Sequence, residues 1–133
     1  MTVAGGALFF GATAQAANYA GPMQGNPNSK VEFEVNKAPS GKRFVEAVNI
    51  IGAAFQCANG PQVIGVAPQG RARVRRGEFE LVDNPNASVD MRFAGRLTSG
   101  SASGTFKALL TFQDHPFGTC TTKRLGWGAI KLP

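Results

Sequence analysis

Histidine occurs once in these 133 residues, cysteine twice, and tryptophan and tyrosine once each. One His and two Cys cannot furnish a four-coordinate cage of such ligands, so neither a metal nor any other cofactor is expected. Charged residues are 17% of the chain against about a quarter in an average domain, while apolar residues are 43%, which excludes disorder through charge excess. There is no Cys-x-x-Cys pair and no Gly-x-Ser-x-Gly elbow to seat a nucleophile. No apolar run reaches the roughly 20 residues a helix needs to cross a bilayer. A helical period never persists for three turns.

The length suits one domain, and 17 Gly with 8 Pro punctuate short apolar segments instead of repeating as in collagen. The first segment reads as an address. From Val3 to Ala17 there is no charge, Leu8-Phe9-Phe10 forms a short apolar centre, and Ala14-Gln15-Ala16 supplies the small residues that a signal peptidase reads. Residues 1–16 are therefore expected to be a signal peptide and residues 17–133 a single exported domain, secreted, periplasmic or at the cell surface. No Lys or Arg precedes the apolar run, so the signal is expected to be truncated at its start. Cys57 and Cys120, even in number and far apart, are expected to form one disulfide in that oxidising setting; two buried free thiols are the alternative.

Beyond residue 17, apolar and polar residues alternate. Val31, Phe33 and Val35 share one strand face against Lys30, Glu32 and Glu34, and Val89, Met91 and Phe93 repeat the pattern against Asp90 and Arg92. Further strands are predicted at Val45–Cys57, Gln62–Ala67, Arg71–Arg76, Glu78–Asp83, Gly104–Phe112 and Thr121–Leu132, with an edge strand around Asn18–Met23. About eight strands with Gly, Pro, Asn and Ser between them predict an all-β antiparallel sandwich, or alternatively a small barrel.

Several local patterns together resemble a recurrent class of small exported bacterial β-sandwich domains of unknown function with a single disulfide. They are Tyr19-x-Gly21, Val31-x-Phe33-x-Val35, the mid-chain Cys57, Gly77-x-Phe79, Gly95 with Ser103-Gly104-Thr105-Phe106, and Cys120-Thr121 followed by Trp127-Gly128-Ala129. The resemblance covers nearly the whole mature chain. It implies a sandwich with one bridge and carries over no catalytic residue.

The candidate site lies in the charge pattern. Lys and Arg number 14 against 8 Asp and Glu, a formal charge of +6. Arg71, Arg73 and Arg75 alternate across Ala72 and Val74, so their guanidinium groups project from one face, with Arg76 following in the turn. Arg92 and Arg96 lie two strands on and join that face if the strands share a sheet. A row of forked, permanent donors suits phosphate, sulfate or carboxylate groups spaced along a polymer, such as an anionic envelope polysaccharide. The competing reading is a structural or protein-interaction module whose arginines only deter edge-to-edge pairing, with Glu78, Glu80 and Asp83 cancelling their field.

Three other features bear on function. A small hydrolase using Asp114 and His115 lacks a nucleophile motif. Glu32 and Glu34 share a polar strand face with Lys30, which gives no means of holding one of them protonated. Trp127 between Gly126 and Gly128 is a candidate aromatic platform for a sugar, against core packing beside the disulfide.

Overall fold

A computed structural model describes residues 16–133; the expected signal peptide, apart from Ala16, lies outside the described residues. The described chain is all-β, with ten strands and no helix. In chain order they are β1 (Ala16–Pro22), β2 (Lys30–Lys37), β3 (Arg43–Cys57), β4 (Gly60–Val66), β5 (Arg71–Arg73), β6 (Glu78–Asn86), β7 (Val89–Thr98), β8 (Ser101–Thr111), β9 (Thr119–Thr121) and β10 (Leu125–Lys131).

Of the two architectures expected, the chain adopts the barrel. Antiparallel pairings close a ring of six strands, β9-β3-β2-β1-β10-β8, and the other four lie outside it. Strands β7 and β6 continue the sheet from the opposite edge of β8. A bridge between Arg75 and Glu78 then brings the sheet back to β5, which pairs with β3. The ring thus turns its apolar faces inward, and closure leaves its own six strands without a free edge, while β4 outside it pairs on one side.

The long β3 reaches both β4 and β5 because it bends. Two residues, Ala47 and Val48, stand opposite the single Phe33, and Ala47 takes a positive φ of 53°. A second irregularity falls at Gly52, φ 70°, where the ladder to β4 shifts register. Such bulges increase twist and turn one strand across two neighbours.

The interior is aromatic. Phe33 lies at its centre, stacked on Tyr19 at 5.2 Å and edge-on to Phe93 and Trp127, each at 5.5 Å between ring centres. Phe79 packs against the same rings, and Phe93 stacks on Trp127 at 4.8 Å. Glycine makes this packing feasible. A Cβ on Gly95 would lie 2.7 Å from the Trp127 ring, and one on Gly104 would lie 1.9 Å from the Ala94 carbonyl oxygen. Gly21 meets the Gly128 carbonyl just as closely across β1 and β10. Glycines at these inward positions let strands coil tightly around bulky rings.

Cys57 and Cys120 form the disulfide, joining the end of β3 to β9. Only one ladder pair, Thr121 with Gln56, links those two strands, so the covalent bond reinforces the weakest seam of the ring. Trp127 is in the core, as one reading expected, yet away from the bridge: it pairs with Gly104 on β8, whereas Cys120 pairs with Leu110.

Candidate functional site

The outer wall over β5 to β8 gathers the expected arginines. Ala72 and Val74 are buried while Arg71, Arg73, Arg75 and Arg76 are exposed, so the alternation sends the guanidinium groups outward. Arg71 is held over the ring of Phe44, 4.0 Å from its centre, a cation–π contact worth about 0.5–1 kcal/mol at an exposed site. Arg76 takes a positive φ of 53° in the turn before Gly77.

Arg92 and Arg96 lie on the same sheet. Glu78 stands between Arg75 on one side and Arg96 on the other, and its carboxylate accepts a hydrogen bond from Arg96. Arg92 pairs with Asp90 at 3.5 Å. Both ion pairs are half-exposed, so each contributes at most about 1 kcal/mol. Acidic residues therefore partner two of the six arginines; Arg71, Arg73, Arg75 and Arg76 have no carboxylate within ion-pair distance among the described residues.

A second concentration of charge lies on this wall. Strand β8 carries β7 on one edge, and β9 followed by β10 on the other, since Leu110 pairs with both Val89 and Cys120. On its outer face Lys107 stands directly opposite Arg92. On the other edge the ladder runs Thr121 to Leu109 and then Leu125 to Phe106, so three residues, 122–124, oppose only two of β8. Thr122 turns inward, its hydroxyl accepting from the Ala108 N–H at 3.0 Å, and Lys123 and Arg124 are left exposed beside Lys107. Arg92, Lys107 and Arg124 line one recess of about 500 Å³ with Thr121, Leu109, Asp90 and Glu80. Like charges facing each other across strands oppose the pairing by a few tenths to about 1 kcal/mol.

Sequence reasoning missed Lys107, Lys123 and Arg124. The signal was the basic pair directly before the Leu125-x-Trp127-x-Ala129 alternation, but its meaning depends on the bulge and on the register with β8.

The other candidates separate from this wall. Trp127 is 5% exposed, which corrects the platform reading: its ring points inward, where Gly95 and Gly104 leave it room, and only its flanking glycines face out. His115 sits in the loop between β8 and β9, where its Nδ1 accepts from the Phe117 N–H at 3.1 Å and its ring packs on Phe117 at 4.5 Å. Neighbouring Asp114 has a positive φ of 53°, and the pair shapes a turn. Glu32 binds Lys30 at 3.6 Å, while Glu34 and Glu46 both accept from the Asn36 side-chain amide, on the outer face of β2 and β3.

Among the described residues no cluster of His, Cys, Asp and Glu has the arrangement to hold a metal ion, and no helix is long and apolar enough to cross a membrane. The chain matches no family model, no curated protein and no solved structure.

Proposed function

We propose that this is an exported, non-catalytic β-barrel protein that binds an anionic polymer or surface through its cationic wall. The observation that carries the reading is the row Arg71, Arg73, Arg75 and Arg76, outward-facing and, among the described residues, without a carboxylate within ion-pair distance although Glu46 and Glu78 stand opposite Arg71 and Arg75, and continued across the sheet by Arg92 and Arg96. Fixed forks at strand spacing suit ester or carboxylate groups repeated along a chain. The disulfide is compatible with an oxidising compartment, which supports export, and anionic envelope polysaccharide is among the polyanions an exported protein meets.

A second reading, a protein-interaction module, is supported by β4. Among the described residues this strand pairs only with β3; it carries no charge and exposes Val63, so its other edge is suited to strand addition.

The test is binding of the oxidised domain to anionic and neutral glycans, lipids and nucleic acids at low and physiological salt. The expected result is retention of one anionic class that survives physiological salt and falls about tenfold in the Arg73→Ser/Arg75→Ser variant. Retention of every anion, vanishing with salt, overturns it and reports only net charge. Failure to bind any of them overturns it in favour of the interaction module.

A further inference from the structure

We propose that the row Arg92, Lys107 and Arg124 is a seat for one tetrahedral oxyanion, a phosphate or sulfate ester. It deepens the polyanion reading by naming the group on the polymer that this wall engages, and it rests on that reading only for the ligand's being polymeric.

Three observations converge. Lys107 on β8 has Arg92 opposite it on one edge and the Lys123–Arg124 bulge on the other, so a cation is flanked by cations on both sides. Adjacent strands lie about 4.8 Å apart, so these long side chains can reach a common point above β8. A bulge in a strand is a way of re-aiming a side chain, and here it brings Arg124 to the recess. The recess itself, about 500 Å³, is floored by Ala108 and Leu109 and offers the Thr121 hydroxyl as a further donor.

Charge and shape select the ligand. Asp90 neutralises Arg92, at 3.5 Å, whereas Lys107 and Arg124 have no carboxylate within ion-pair distance among the described residues. With Arg92, Lys107 and Arg124 against Asp90 and Glu80 the lining nets one positive charge, which fits a singly charged ester with several terminal oxygens. Glu80 lines the β6 side, which repels an anion there and moves it toward Lys107, Arg124 and Thr121. A planar carboxylate is served by a single arginine fork, whereas donors approaching from three strands surround a tetrahedral ion.

The experiment is a titration of the ¹⁵N-labelled, oxidised protein with inorganic phosphate, sulfate and acetate at constant ionic strength. Phosphate and sulfate are expected to shift the amides of Lys107, Ala108, Leu109, Thr122 and Lys123 saturably, with acetate at least about fivefold weaker. In the Lys107→Ala/Arg124→Ala variant the phosphate affinity should fall about tenfold, while Arg73→Ser/Arg75→Ser should leave it within about twofold. Both substituted pairs are exposed, so unchanged resonances elsewhere will report an intact fold.

Shifts spread over all basic residues, equal for acetate, overturn the seat, as does a Lys107→Ala/Arg124→Ala variant that binds like the parent. Polymer retention through Arg73 and Arg75 would then still stand. If phosphate saturates the seat but polyphosphate and sulfated glycans are not retained, the polymer reading falls. The seat then serves a free small oxyanion.

Discussion

Two walls of this barrel cover the same interior and present opposite surfaces. Over β1 and β10 the outward residues Ala16, Asn18, Ala20, Pro22, Gly126, Gly128 and Ile130 carry no charge, and Lys131 at the very end of β10 is the one exposed charge of these two strands. Over β5 to β8 the outward residues include Arg71, Arg73, Arg92, Arg96 and Lys107, with further arginines in the turn after β5. Beneath both lies one cluster: Tyr19 comes from β1, Trp127 from β10, Phe79 from β6 and Phe93 from β7. The wall over β1 and β10 shows that a strand of this barrel needs no outward charge to pack its inward face. On the other wall Arg96 and Arg92 answer Glu78 and Asp90 within the fold, whereas Lys107 faces Arg92 and opposes the pairing.

The strongest way to break the comparison is to weaken what the walls share. Reducing Cys57–Cys120, or replacing both residues by Ser, should lower stability by about 4 kcal/mol through a freer unfolded chain. Denaturant unfolding with and without reductant measures it. One cooperative transition for tryptophan fluorescence and far-UV signal would show that both walls unfold together. Two transitions would mean that the walls are separately stable.

Next in size are the close approaches beneath each wall. Gly21→Ala puts a methyl against the Gly128 carbonyl, and Gly104→Ala puts one against that of Ala94. Backbone cannot yield as a side-chain tip does, so each should cost about 3 kcal/mol or more. Equal losses in denaturant midpoint mean that the core constrains both walls alike; a tolerated Gly104→Ala would mark the cationic wall as the looser one.

The parts of this molecule legible in the sequence are those decided by period. Val31, Phe33 and Val35 are buried as their alternation predicts, and so are Met91 and Phe93. Arg71 and Arg73 point outward for the same reason. Closure was open, because it hangs on the three residues of β9 and one pair to β3, too short a segment to carry a pattern. Trp127 was ambiguous because the space for its ring is made by Gly95 and Gly104 on other strands. The Arg92–Lys107–Arg124 row was hidden for a related reason: three strands and a bulge must be in register before it exists.

The smallest effect on stability offers the sharpest test of the surface difference. Glu78→Gln removes the carboxylate between Arg75 and Arg96, and Gly128→Lys adds a cation to the wall over β1 and β10, where a Cβ meets nothing within 4 Å. Each raises net charge by one, and each should change stability by less than about 1 kcal/mol. If binding only reads total charge, the two variants will elute together from a sulfated or phosphorylated polymer as salt rises. If the cationic wall is the binding surface, Glu78→Gln will elute at higher salt than the parent, with an affinity about two- to threefold greater, and Gly128→Lys will elute with the parent. The reverse order would place binding on the wall over β1 and β10, where Lys131 at the strand end is the one exposed charge.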